Sequence, residues 1–83
     1  MKMSENYSTY DMNLASILSV KYSLIEIVNE DGRGRFIFED SDDLRQFVQD
    51  FWDRKLTIDP IALFDAIKLV KNRLYSSVRK EAR

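Results

Sequence analysis

Apolar residues recur along this chain with two different periods, and the changes of period mark the predicted elements. One helical pattern follows Ser41 and runs to about residue 54, with apolar side chains at every third or fourth position. Ser41 or Asp40 is the predicted N-cap, because a side-chain oxygen there accepts a hydrogen bond from a free backbone N–H group. The apolar stripe of this helix consists of Leu44, Phe47, Val48, Phe51 and Trp52.

Two further helices are predicted, one on each side of this one. Asp11 precedes a short apolar pattern and is a suitable N-cap for a two-turn helix. Asp59 followed by Pro60 is another helix start, because proline fits the first helical position, where its missing N–H group is not needed. The long helix that follows has an apolar face, predicted to pack into the core, made of Leu63, Ile67, Val70, Leu74 and Val78.

Between the first two helices the pattern changes to that of a β-hairpin. Residues 20–29 and 35–39 are rich in β-branched and aromatic side chains. The intervening loop is longer than a two-residue Asp-Gly turn unless strand pairing extends through Arg33. Two strands form a marginal sheet, so the hairpin needs helical cover, a third strand or a second copy of the chain. Residues 55–58 are predicted to be either a connector or that short third strand.

Together these elements predict a single α+β domain with the order α-β-β-α-α. A small antiparallel hairpin or three-stranded sheet is packed by helices, and the last helix is long. Residues 1–9 are predicted to be a flexible N-terminal tail, and residues 10–83 to form the domain. The predicted core consists of Leu14, Leu18, Ile25, Ile27, Phe36, Phe38, Leu44, Phe47, Val48, Phe51, Leu63, Ile67, Val70 and Leu74.

Composition narrows the classes of function. The chain is 45% hydrophobic and 33% charged, which is typical of a folded domain. It contains no cysteine and no apolar run long enough for a signal peptide or a membrane span, so we expect a cytoplasmic protein that is not bound to a membrane. Without histidine or cysteine, it lacks the usual general base at neutral pH and the strongest nucleophile. We therefore expect no enzymatic activity, no small-molecule substrate and no cofactor.

The acidic segment that begins at Glu39 resembles a calcium-binding loop only superficially. Carboxylate oxygens are the ligands that Ca²⁺ prefers, but position 5 of such a loop would be Leu44, and the glycine required at position 6 is missing. These carboxylates are better explained as helix caps. No metal site is predicted.

Charge is unevenly distributed, although the net charge is only −1. The middle of the chain is acidic and the end is basic. At about 100° per residue, one side of the last helix carries a cationic stripe with a tyrosine in it, and this stripe is a candidate nucleic-acid contact through phosphate pairing and base stacking. A solvated helix face is the alternative. The candidate residues are Lys68, Lys71, Tyr75, Arg79 and Arg83, together with Arg33 at the glycine-containing hairpin loop.

A second functional hypothesis is a protein-interaction or homodimerising module. Trp52 stands near the end of a helix, where tryptophan is either an interface anchor or a residue that closes the core. In this hypothesis the hairpin edge, Trp52 and the long helix make the contact. The first hypothesis remains a non-enzymatic module that binds nucleic acid through the basic face of the last helix.

The chain also resembles a small bacterial and phage-associated family of unknown function. The resemblance rests on a D-x-x-L-A-x-x-L start at Asp11, an F-x-F-E-D strand end at Phe36, and the later Phe51-Trp52 and Asp59-Pro60 pairs. It implies the same fold and names no active site. It also implies a glycine-containing turn between the first helix and the hairpin, where this chain has Ser19 to Tyr22.

Overall fold

A computed structural model describes residues 6–82, with the side chains of residues 6–76. The elements are β1 (Asn6–Thr9), α1 (Met12–Lys21), β2 (Leu24–Glu30), β3 (Arg33–Glu39), α2 (Asp42–Trp52) and α3 (Pro60–Ala82). The α+β class, the three-stranded antiparallel sheet and the long C-terminal helix are confirmed, as is the predicted order from α1 onward.

The third strand lies at the start of the chain. Strand β1 pairs antiparallel with β3, so the strand order is β1-β3-β2 and β3 is central. The prediction of a flexible tail is therefore wrong for Asn6–Thr9, while residues 1–5 lie outside the described residues. Residues 55–58 form a connector and not a strand. Sequence reasoning missed β1 because Asn-Tyr-Ser-Thr carries no alternating apolar signal, and its pairing with β3 supplies the order.

All three predicted helix starts are confirmed by their capping hydrogen bonds. Asp11 accepts from the backbone N–H groups of Asn13 and Leu14, at 2.8 and 3.2 Å. The Ser41 hydroxyl accepts from Leu44 at 3.0 Å, and Asp59 accepts from Ala62 at 2.9 Å. Helix α1 continues through Lys21, so the segment that the family resemblance assigned to a glycine-containing turn is helical instead.

The hairpin turn is the tight two-residue form. Asp31 and Gly32 both have positive φ, 52° and 82°, which is the geometry that matches the twist of two antiparallel strands. Strand pairing extends to Glu30 opposite Arg33.

An irregularity in β2 changes which side chains enter the core. The register shifts between Leu24 and Glu26, so that Leu24 pairs with Phe38 and Ile27 pairs with Phe36. A bulge inserts one unpaired residue, and Ile25 occupies that place and remains exposed. The prediction of Ile25 in the core was therefore wrong, and Leu24 takes its place. The Arg73 guanidinium of α3 holds the bulge by donating to the carbonyls of Leu24 and Ile25, at 2.7 and 3.1 Å.

The helices pack on one face of the sheet. Each helix contributes buried side chains to the cluster that contains Phe36 and Phe38, so all three helices lie on this face. Among residues 6–82 the opposite face therefore has no helix. Ile37 lies on that face, outside the cluster, yet only 4% of its surface is exposed. The cluster consists of Leu14, Ala15, Leu18, Leu24, Phe36, Phe38, Leu44, Val48 and Val70.

Candidate interaction surface

The outer side of α3 is the side turned away from the buried Val70. Lys68, Lys71 and Tyr75 lie there, within about a third of the helix circumference, and all three are exposed. The structure therefore brings three of the predicted site residues together. Of the others, Arg79 has no described side chain and Arg83 lies outside the described residues.

Large apolar side chains share this surface, and sequence reasoning missed all of them except Tyr75. Ile61 is 68% exposed, Phe64 is 59% exposed and Tyr75 is 58% exposed. Leu69 is also largely exposed, on the flank of α3 that faces α1. The sequence did contain a signal for these exposed residues. At helical spacing from the buried Val70, they lie outside the apolar stripe that faces the core. We define the α3 outer face as Ile61, Phe64, Asp65, Lys68, Leu69, Lys71 and Tyr75.

The charges of the α3 outer face have no partner in the described part of the chain. Neither Lys68 nor Lys71 takes part in an ion pair there, and the Asp65 carboxylate, three residues before Lys68, is not bonded to it. Exposed apolar side chains with polar or charged groups around them are typical of a surface that contacts another molecule.

Arg33 lies elsewhere. Its strand position places it on the open face of the sheet, whereas α3 covers the other face. Its guanidinium lies over the Tyr10 ring, 4.4 Å from the ring centroid, which is a cation–π contact within the chain. Arg33 therefore does not extend the surface formed by Lys68 and Lys71.

Around Arg33 the charged side chains bind one another. The Tyr10 hydroxyl donates to one Glu30 oxygen at 2.6 Å, and Arg35 donates to the other at 2.9 Å. Arg35 also donates to the Ser8 hydroxyl at 3.2 Å, which links all three strands. These hydrogen bonds, from Tyr10 first and then Arg35, hold the pKa of Glu30 below its ordinary value, and the hydrogen bond to Glu30 raises the pKa of Tyr10. We call Ser8, Tyr10, Glu30, Arg33 and Arg35 the sheet patch.

Trp52, the predicted interface or core residue, does not close the core. It is 57% exposed at the end of α2, and its ring makes an edge contact with Phe51. The helix ends directly after it, because Arg54 takes a positive φ of 62° and the N–H group of Lys55 donates to the Asp50 carbonyl. The interface role of Trp52 stays a prediction.

The outer side of α2 carries two aspartates and two glutamines, and the exposed Arg45 at its margin is paired with Asp40. Asp42, Gln46, Gln49 and Asp53 follow one another at helical spacing and are all exposed. The glutamine amides donate to neighbouring carboxylates, from Gln49 to Asp53 at 3.2 Å. We call these four residues the α2 outer face; the exposed Trp52 lies at its edge, about 100° around the helix from Asp53.

A hydrogen bond between Tyr22 and Asp43 joins the end of α1 to α2. The Tyr22 hydroxyl donates to Asp43, and the Tyr22 ring meets the edge of Phe47. Desolvation and this hydrogen bond raise the pKa of Tyr22 to about 12, while the Tyr22 hydrogen bond and the Lys21 charge lower the pKa of Asp43. The pair is a structural link between two helices.

Two shallow concavities are lined by described residues. One, of about 350 Å³, lies where Ile25, Glu39 and Ser41 meet. Another, of about 330 Å³, runs between α1 and α3 and is lined by Ser19, Val20, Ala62, Asp65, Ala66 and Leu69. The described residues contain no group of acidic side chains able to hold a metal ion. No described helix is long and apolar enough to cross a bilayer.

Comparison with known proteins gives a family. No curated protein and no solved structure matches the chain. A family model described as a domain of unknown function, DUF5659, matches residues 4–76. This span contains every described strand, both shorter helices and most of α3. The resemblance to a family of unknown function is confirmed at that level, and the chain belongs to the DUF5659 family.

Proposed function

We propose that this chain is a non-enzymatic protein-binding module and that the α3 outer face is its binding surface. The observation that carries the proposal is the exposure of Ile61, Phe64 and Tyr75 on one side of one helix. Aromatic and aliphatic side chains with this much exposed area gain the most when a partner covers them. The partner chemistry follows from the charges, because Lys68 and Lys71 favour a surface that combines apolar and acidic side chains.

The sheet edge supports this role less well than α3 does. Strand β2 lies at one edge of the sheet, where unpaired backbone groups are able to accept a strand from another chain. However, the bulge at Ile25 distorts this edge, and Arg73 already occupies the carbonyls of Leu24 and Ile25. Natural proteins use such features to block edge-to-edge pairing. We therefore favour the helix face over the hairpin edge.

A site-specific photocrosslinking experiment tests the proposal, and it captures a partner whose identity is unknown. A benzophenone side chain replaces Asn72, which is exposed beside Lys68 on α3. The control carries the same group at Glu26, which is exposed on the open face of the sheet. We expect protein adducts from position 72 in native cells, and few from position 26.

Matched variants link those adducts to the surface. Ile61→Ser with Phe64→Ser should remove the adducts, whereas Ile25→Ser, which removes another exposed apolar side chain, should leave them. Equal yields from positions 72 and 26, or adducts that survive Ile61→Ser with Phe64→Ser, would overturn the proposal.

Nucleic-acid binding is a second candidate, favoured by the exposure of Lys68, Lys71 and Tyr75 on neighbouring turns. Basic side chains release counterions from phosphates, and the tyrosine ring offers a stacking surface. Against it stand the adjacent Asp65 and the net charge of −1. Titration with single- and double-stranded DNA and RNA at low salt decides this. Binding that is lost in Lys68→Gln with Lys71→Gln would support it, and no binding at low salt would remove it.

A further inference from the structure

We infer that the partner which fits the α3 outer face is the α2 outer face of a second copy of this chain. The inference rests on the proposed function, because it uses the same side of α3. It adds the partner's identity and an arrangement in which two copies pair by their helix layers.

The helices form one layer with a common outer surface. All three pack on the same face of the sheet, and α1 packs against both α3 and α2. Helix α1 therefore lies between the other two. Its apolar side chains are distributed around the helix, and Ile17 and Val20 remain half-buried on the side away from the core, beside the exposed Asn13. A helix that is apolar on all sides is usually covered on all sides.

The two flanking helices carry complementary surfaces. The α2 outer face has Asp42 and Asp53 with the exposed Trp52 at its edge, and the α3 outer face has Lys68 and Lys71 with exposed apolar side chains. Acidic groups beside an aromatic anchor match cations beside aromatic and aliphatic residues.

Symmetry selects the arrangement. A two-fold axis that runs parallel to α1, midway between the two copies, places α2 of each copy over α3 of the other, so the favourable charge contact occurs twice and the assembly closes. Packing of α3 against α3 of the partner would instead bring the lysines of the two copies near each other. Because the net charge of the chain is only −1, electrostatic repulsion between two copies is weak.

The available area agrees with a modest interface. Helix axes are spaced by about 9 Å, and the 10 residues of α1 give about 15 Å of common helix length at a rise of about 1.5 Å per residue. The footprint of three helices is then roughly 400 Å², and the relief of the side chains raises its accessible area toward the ~600 Å² per partner at the small end of specific interfaces. We expect a dimer with a dissociation constant in the micromolar range.

Charge-swapped variants test this arrangement by sedimentation of the purified full chain from about 5 to 500 µM. Asp53→Lys alone and Lys68→Glu alone should each weaken dimerisation at least tenfold, because each creates two like-charge contacts. Both substitutions in one chain should restore the dimer. A mixture of the two single variants should form a one-to-one heterodimer, since both of its contacts are then complementary. Trp52→Ser should weaken the wild-type dimer at least tenfold.

Several results would overturn the inference. A monomer at 500 µM would do so, as would a dimer that is insensitive to Asp53→Lys, which is the result expected if α3 packs against α3. If the mixture of the Asp53→Lys and Lys68→Glu chains forms no heterodimer, the two-fold pairing of α2 with α3 is excluded. If the chain is monomeric while position 72 still yields protein adducts, the second copy is excluded and the proposed function stands. If those adducts are also missing, both proposals fail.

Discussion

Two surfaces of this protein carry the same kinds of charged and aromatic side chains and organise them in opposite ways. The sheet patch has a tyrosine, two arginines, a glutamate and a serine, and the α3 outer face has a tyrosine, two lysines, an aspartate and apolar residues. In the sheet patch Glu30 binds both Tyr10 and Arg35, and Arg33 covers the Tyr10 ring. On α3 the corresponding charges have no partner among residues 6–76.

The difference shows why residue type alone identifies a binding surface poorly. Strand pairing brings residues that are distant in sequence to one place on the sheet, such as Ser8 and Arg35, so their polar atoms satisfy one another. On a single helix, side chains meet only neighbours three or four positions away, and the Asp65–Lys68 pair makes no bond. The sheet patch thus contributes to stability, and the α3 outer face remains available to a partner.

The largest expected difference in stability between the two surfaces comes from substituting one isoleucine on each side of the molecule. Ile37 lies on the open sheet face, opposite Ser8 of the sheet patch, and is 4% exposed, whereas Ile61 is 68% exposed on α3. We expect Ile37→Ala to lower the free energy of unfolding by about 2–4 kcal/mol, because it removes buried methyl groups and leaves a cavity. Ile61→Ala should change it by less than about 0.5 kcal/mol. Urea denaturation at low protein concentration measures both values, and equal losses would contradict the contrast.

The helices and their caps were predictable from sequence because their signals are local. Asp11, Ser41 and Asp59 each act within three residues of their own position, and the apolar stripe of α2 needs only its own helical period. Fold class followed from these elements together with the Asp31-Gly32 turn.

The features that sequence reasoning missed depend on contacts between distant segments. Strand β1 is ordered by its pairing with β3, and the bulge that exposes Ile25 is held by Arg73, 48 residues away. Lys68, Lys71 and Tyr75 were placed correctly because helical rotation alone decides their side.

A second test compares one cation from each surface. Arg35 is half-buried and connects all three strands through Ser8 and Glu30, so Arg35→Ala should cost about 1 kcal/mol in free energy of unfolding. Lys71→Ala should cost less than about 0.5 kcal/mol, since the ammonium group has no partner in the described part of the chain. Thermal denaturation of both variants gives the comparison. A loss for Lys71→Ala as large as that for Arg35→Ala would mean that the α3 charges also serve the fold.

A third test uses acid. The pKa of Glu30 is lowered in the folded chain, so ionised Glu30 adds stability above its ordinary value of 4.5, and that contribution is lost as pH falls below it. We expect the melting temperature of Glu30→Gln to fall less steeply than that of the wild type between pH 5 and about 3. Tyr10→Phe should give an intermediate slope, because Arg35 still binds the carboxylate. Parallel curves for all three proteins would contradict a stabilising role for Glu30.

The smallest expected effect concerns the arginine that sequence reasoning assigned to nucleic acid. Arg33 lies over Tyr10 at an exposed site, so Arg33→Ala should lower the free energy of unfolding by only about 0.5 kcal/mol. Because Arg33 and α3 lie on opposite sides of the sheet, the substitution should leave the adducts from position 72 and the dimerisation constant unchanged. Arg33→Lys, which keeps the charge, is the control for a purely electrostatic role. If Arg33→Ala weakens binding while Arg33→Lys does not, the positive charge of the sheet patch contributes to the interaction, and the separation of the two surfaces is wrong.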